Sequence, residues 1–193
     1  MPSAGLHYCS LVPTITPEIQ SVLRDSERLL WSGRPDPRVL FTRADVILIP
    51  FSALFLGFAL FWEFTALTTP TRVPFAPVFG AVFVIVGIYV LIGRFFYKAW
   101  AKARTLYVVT DARVLSITGR RVREAPVSTQ PVEWRPSRTH LSVTFGTSPG
   151  NRAVNLENTG WIGSGSGSAG GAVSFFDVAD GPALRAAIDG ARL

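Results

Sequence analysis

Two apolar stretches decide the fold: VILIPFSALFLGFALFWEFTAL at 46–67 and FAPVFGAVFVIVGIYVLIG at 75–93. As helices rising about 1.5 Å per residue they would reach roughly 33 and 28 Å, enough to cross a hydrocarbon core of about 30 Å. Because lipid cannot satisfy backbone polar groups, such runs must be helical. The segment between them, 68–74, contains two prolines and is too short for more than a turn. The sequence therefore predicts a transmembrane hairpin.

The basic residues around the two runs predict the orientation of the hairpin. Arg72 is the one basic residue in the connecting loop, whereas nine flank the two ends of the hairpin. Lysine and arginine are retained on the cytoplasmic side of a membrane. We therefore expect both termini to be cytoplasmic. The nine residues are Arg24, Arg28, Arg34, Arg38, Arg43, Arg94, Lys98, Lys102 and Arg104.

Composition narrows the classes of partner and site. The net charge is +6 and the pI is near 10.2, but nearly half of the basic residues flank the membrane runs, so we do not expect a nucleic-acid partner. A single cysteine, Cys9, provides neither a disulfide framework nor a metal cluster. Paired carboxylates and a nucleophile beside a histidine are also missing from the pattern. We expect no cofactor, no metal and no enzymatic activity.

The hairpin divides the chain into four segments. They are an N-terminal cytoplasmic segment at 1–45, the hairpin at 46–93, a basic stalk at 94–104 and a soluble domain at 105–193. Within the first segment, residues 16–31 are predicted to form a short amphipathic helix, with Thr16 as its cap and Pro17 in its first turn. The stalk is predicted to be a basic, aromatic helix that leaves the bilayer.

The soluble domain reads as short strands followed by one helix. Asp180 is predicted to cap the helix at 182–191, which carries apolar residues on one face. An amphipathic helix after seven strands is the element order of the pleckstrin-homology (PH) superfold, in which it closes one corner of two antiparallel sheets. The fold class we predict is an α+β membrane protein with a PH-like domain. The seven predicted strands lie at 106–109, 113–117, 121–125, 131–135, 141–145, 153–156 and 173–177.

Two motifs carry a family resemblance. The stretch ERLLWSGRP at 27–35 precedes the hairpin, and YVVTDARVL at 107–115 follows it. The two motifs, in this order and on either side of two predicted membrane helices, resemble those of the bacterial membrane proteins that carry a PH domain. The resemblance implies that fold and a location in the bacterial inner membrane, and it implies no catalytic residues.

Two chemical patterns have simpler explanations. Gly165, Gly167 and Gly170 spell G-x-G-x-x-G, but a Ser/Gly tract precedes them and a predicted strand follows, so we interpret them as a flexible loop without a nucleotide. Glu63 is a carboxylate in a membrane run, where such groups are often functional. It lies about one turn from the end of the run beside Trp62, so we expect it to be interfacial.

Two residue sets are candidate contact sites. Ala53 with Gly57, and Ala76 with Gly80, are small-x-x-x-small pairs, which fit packing within the hairpin or self-association. A second set, Arg120, Arg121 and Arg123, flanks a predicted turn, and the last two share a strand face. These arginines could bind anionic headgroups or an acidic partner, or could simply form a solvated strand face.

Three functional hypotheses follow. The first is a protein-interaction or assembly module held at the membrane, where local concentration supplements affinity. The second is a sensor of anionic lipid that uses Arg120, Arg121 and Arg123 together with the stalk lysines. The third is a small transport or channel subunit built on the hairpin.

Overall fold

The computed structural model describes residues 16–69, 75–137, 139–146 and 172–192. The helices are α1 (Pro17–Gln20), α2 (Asp45–Thr68), α3 (Ala76–Ile88), α4 (Arg94–Ala103) and α5 (Gly181–Ala191), with a π-helical turn, Tyr89–Gly93, that joins α3 to α4. The strands are β1 (Leu29–Gly33), β2 (Thr105–Thr110), β3 (Arg113–Thr118), β4 (Arg121–Pro126), β5 (Val132–Pro136), β6 (Leu141–Phe145) and β7 (Val173–Val178).

Two helices are apolar and long enough to cross a membrane. One is α2, and the other is the continuous helix Ala76–Ala103 formed by α3, the π-helical turn and α4. Fewer than a fifth of the residues in the most apolar part of each are buried, so most of this apolar surface faces outward. Outward apolar surface on long helices is what lipid contact requires.

The strands form two antiparallel sheets, in the orders β1-β2-β3-β4 and β5-β6-β7. The first strand comes from the segment before the hairpin and pairs with the strand that follows it, with Ser32 opposite Val108 and Gly33 opposite Tyr107. The two apolar helices are thus inserted between neighbouring strands of one sheet. The predicted domain at 105–193 contributes six described strands, and its predicted strand at 153–156 lies outside the described residues.

The predicted amphipathic helix at 16–31 is wrong beyond Gln20. Only Pro17–Gln20 is helical, and Leu29–Gly33 is a strand. The strand forms because its backbone pairs with β2, although a register shift between Leu29 and Trp31 interrupts the ladder. Local periodicity cannot reveal a pairing partner that lies on the other side of the hairpin in sequence.

An aromatic core fills the space between the sheets. Phe175 stacks on Tyr107 at 4.4 Å between ring centroids and packs against Trp31 and Phe145. The capping helix is confirmed: α5 inserts Leu184 and Ile188, both fully buried, into this core. At its start the Asp180 side chain accepts a hydrogen bond from the Ala183 backbone N–H, at 3.2 Å. Burial of two aliphatic side chains fixes this helix across the sheets.

A smaller cluster covers the outer face of the four-stranded sheet. Ile19 of α1 is buried against four side chains of β2 and β3, which are Leu106, Val108, Leu115 and Ile117. Close by, the Arg28 backbone N–H donates to the Asp111 carboxylate at 3.1 Å, and the Asp111 N–H donates to the Arg28 carbonyl. The segment before the hairpin is therefore packed into the β-sheet domain.

Candidate functional site

One face of α4 carries buried basic residues where the two long apolar helices meet the sheets. Arg94, Lys98 and Lys102 follow one another at intervals of one turn and are 0%, 3% and 6% exposed. Their spacing predicts a shared face, and the predicted basic, aromatic helix is present as α4, but both lysines are buried, so the part of the lipid-sensor hypothesis that uses them is wrong. The lysines point into the protein because the chain segment 36–45 packs against this face.

The two lysines bind backbone carbonyls of that segment. Lys98 Nζ donates to the Leu40 carbonyl at 2.7 Å, and Lys102 Nζ donates to the Val39 carbonyl at 2.7 Å. Lys102 also forms a buried ion pair with the carboxylate of Asp177 on β7. An ammonium group thus joins α4, the segment before α2 and the three-stranded sheet at one point.

Arg94, the first residue of α4, pairs with Asp45, the first residue of α2. Its Nη1 lies 2.6 Å from Asp45 Oδ1, and both side chains are almost fully buried. The other carboxylate oxygen of Asp45 accepts hydrogen bonds from the Thr42 N–H and hydroxyl, at 2.5 and 2.8 Å. Because an unpaired charge buried here would cost several kcal/mol, the pair fixes α2 beside α4.

Asp36 extends this junction to the second sheet. Its backbone N–H donates to the Asp177 carbonyl at 3.0 Å, and its Oδ2 lies 3.1 Å from His140 Nε2. The hydrogen bond from the Arg38 backbone N–H holds the pKa of the Asp36 carboxyl below its ordinary value; burial opposes this and His140 adds to it. We call Asp36, Asp45, Arg94, Lys98, Lys102 and Asp177 the junction. It connects both apolar helices to the three-stranded sheet.

The opposite face of α4 is aromatic and exposed. Phe96, Tyr97 and Trp100 are 73%, 41% and 53% exposed. Just past the end of the helix, the Arg104 guanidinium lies over the Trp100 ring, 4.1 Å from its centroid. The helix therefore presents rings outward and ammonium groups inward.

The three candidate arginines lie on and beside β4, at the edge of the four-stranded sheet. Arg120 and Arg121 are exposed and Arg123 is half-buried. The register pairs Arg121 with Thr118 and Arg123 with Ser116, which puts the two arginines on one face, as predicted. Among the described residues, none of the three forms an ion pair. The turn before them is close to α4, since the Gly119 N–H donates to the Arg104 carbonyl at 3.4 Å.

The small residues of the hairpin divide into two groups. Gly80 is buried and Ala76 half-buried, whereas Ala53 and Gly57 are exposed, and a Cβ added to Gly57 would meet no atom within 4 Å. A Cβ on Gly80 would collide with the Glu63 carboxylate. Packing within the hairpin thus involves the second pair, and the first faces away from α3.

Apart from Gly80, the buried residues of the helix contact lie outside the two small-x-x-x-small pairs. The buried positions of α2 are Asp45, Ser52 and Ala59, and those facing them include Gly80, Gly87 and Arg94. A Cβ on Gly87 would lie 2.9 Å from Leu56 Cδ1 and 3.2 Å from its Cα. Both sets recur every seven residues, which is the spacing of residues along the contact between two packed helices. This period in the sequence could have predicted the contact.

Glu63 lies inside the outer half of the hairpin contact. The residue is half-buried, and its Oε2 is buried without a hydrogen-bond partner in the described part of the chain. This position is less solvated than the interfacial one that the sequence suggests.

The comparisons with known proteins give no identity. No family model, no characterised protein and no solved structure matches the chain. Within the described ranges, no three histidine, cysteine or acidic residues are grouped to hold a metal ion.

Proposed function

We propose that this chain is a PH-like binding module for protein interaction or assembly, anchored in the bacterial inner membrane by its hairpin. The observation that carries the proposal is the insertion of the two helices between β1 and β2, reinforced by the ion pair of Lys102 with Asp177. A domain held this way is confined to the membrane surface. Confinement raises the effective concentration of a partner in the same membrane, so modest affinity suffices.

The arrangement of the strands supports the PH-like assignment. A four-stranded and a three-stranded antiparallel sheet pack face to face, and α5 closes one corner. The aromatic core around Phe175 fills the interior of the domain. A packed interior leaves the sheet edges and the surface around α5 as places for a partner to bind.

The pairing of β1 with β2 also supports the orientation. Adjacent strands of one sheet must lie on the same side of a membrane, so both ends of the hairpin open to that side. The excess of basic residues at these ends favours the cytoplasm.

The surface between β5 and α5 is the docking site we favour. Arg185 of α5 lies over the Trp134 ring of β5, 5.2 Å from its centroid, and Trp134 is partly exposed. Tryptophan and arginine dominate the binding energy of protein interfaces. In the described part of its sheet, β5 is also one of the two terminal strands, with a free edge for an added strand.

Photo-crosslinking in living cells tests this proposal. A photoreactive amino acid at Glu133 or Arg185 should give a discrete protein adduct, and one at the exposed Phe58 of α2 serves as the lipid-facing control. Trp134→Ala should abolish the Glu133 adduct, while Asp189→Ala, an exposed change on α5, should leave it intact. If exposed positions on both sheets and α5 give no protein adduct, the binding-module proposal is wrong.

A further inference from the structure

The two faces of α4 are reversed relative to a helix that leaves a membrane into water. Such a helix would expose its lysines and bury its rings. Here the buried Lys98 and Lys102 donate to backbone carbonyls, while Phe96 and Trp100 point outward. The medium outside α4 must therefore accept aromatic surface, which bulk water does poorly and a membrane interface does well.

We infer that Phe96, Tyr97, Trp100, Arg104, Arg120 and Arg121 form a seating surface that holds the β-sheet domain against the anionic headgroups of its own membrane. The surface shares no residue with the proposed docking site at Trp134 and Arg185; the inference rests on the proposed membrane anchor, goes beyond the proposed protein binding and can fail without it.

Distances along α4 agree with this position. Arg94 follows directly on the apolar run, and Trp100 lies six residues later, which is about 9 Å along the helix axis. The headgroup layer on each side of a bilayer is roughly 5 to 8 Å deep. Phe96 and Tyr97 therefore fall within this layer and Trp100 at its outer margin, where tryptophan and tyrosine are enriched.

The arginines complete the surface from a distant part of the chain. Hydrogen bonds from the Gly119 N–H to the Arg104 carbonyl, and between the Thr105 and Thr118 hydroxyls, bring the β3–β4 turn to the end of α4. Arg120 and Arg121 project from this turn, and within the described residues no carboxylate neutralises them. Positive side chains just beyond the headgroup layer still favour anionic over zwitterionic lipid, because their attraction extends over a Debye length of about 8 Å.

Hydrogen exchange of the full chain in lipid nanodiscs tests the inference. Discs of phosphatidylcholine alone are compared with discs that contain phosphatidylglycerol. Each arginine near an anionic surface is worth roughly fivefold in binding, so backbone exchange at 118–121 should slow at least tenfold in the anionic discs. Moderate salt should reverse the effect because it screens exposed charges.

Two matched variants decide the outcome. Arg120→Gln with Arg121→Gln should return exchange at the turn to the phosphatidylcholine value, whereas Arg24→Gln with Arg28→Gln, at the other end of the sheet, should not. Unchanged exchange in the core strands shows that both variants are folded. The inference is overturned if exchange at the turn is equal in the two kinds of disc, or if the two variants have equal effects. It is also overturned if protection appears only when a soluble acidic protein is added, because the arginines would then bind a protein partner.

Discussion

Arg113 of β3 forms an ion pair with Glu27, with 2.8 Å between Nε and Oε1, although both long apolar helices separate the two residues in sequence. The same guanidinium donates to the Val22 carbonyl and pairs with Glu124 of β4. Burial alone lowers the pKa of Arg113, but these carboxylates outweigh it and raise the pKa above its ordinary value. The two motifs that carry the family resemblance are thus in direct contact.

Breaking this pair should destabilise the domain strongly. Arg113 and Glu27 are 10% and 5% exposed, so Glu27→Gln leaves a buried guanidinium short of its partner. Because Glu124 still pairs with Arg113 and a glutamine can still accept a hydrogen bond, we expect a loss of about 1 to 3 kcal/mol in the free energy of unfolding, measured by denaturant titration in mild detergent. The exposed pair Arg135–Glu133 is the control, and Glu133→Gln should cost less than about 1 kcal/mol. Equal losses would mean that Arg113 does not hold the two motifs together.

Tyr107 should make the domain sensitive to alkali. Burial raises the pKa of its hydroxyl above the ordinary value of 10, and the hydrogen bond it accepts from the Phe176 N–H offsets this only in part. Because the folded pKa exceeds the unfolded one, stability is complete below about pH 10 and is lost as the pH rises further. Above about pH 10, the free energy of unfolding of the wild type should fall by up to about 1.4 kcal/mol per pH unit, relative to its value at pH 8.

The variant Tyr107→Phe isolates this effect. At neutral pH it should cost about 1 to 3 kcal/mol, because the buried Phe176 N–H loses its acceptor. Above pH 10 the difference between wild type and variant should shrink. A constant difference from pH 8 to pH 12 would show that Tyr107 is not buried as a neutral phenol.

Gly87 should be indispensable to the hairpin contact, unlike Gly57. A side chain at Gly87 meets the backbone and side chain of Leu56, whereas one at Gly57 meets nothing within 4 Å. Gly87→Leu should therefore reduce the free energy of unfolding by about 1 to 3 kcal/mol, as is typical of overpacking, and lower the thermal unfolding midpoint in detergent. Gly57→Leu should leave the midpoint unchanged. If Gly57→Leu is the damaging change, the outward face of α2 contacts another copy of the chain.

The sequence predicts the parts of this fold whose signals are local. The two membrane runs, six of the strands and α5 with its Asp180 cap follow from length, period and capping chemistry. The strand Leu29–Gly33 does not, because it is short, its ladder is interrupted and its partner is remote. Likewise, the spacing of Lys98 and Lys102 shows that they share a face of α4, but only tertiary packing determines that the face is buried.

A disulfide between β1 and β2 tests the central claim, that the sheet is completed across the membrane hairpin. Ser32 and Val108 are directly opposed, so Ser32→Cys with Val108→Cys in a Cys9→Ser background should crosslink on mild oxidation in isolated membranes. After cleavage at a protease site inserted between Thr69 and Phe75, the two halves should stay joined until a reductant is added. Ser32→Cys with Glu133→Cys, on strands of different sheets, is the control and should separate into two fragments without reductant. If the Ser32→Cys, Val108→Cys chain separates in the same way, the pairing of these strands is contradicted.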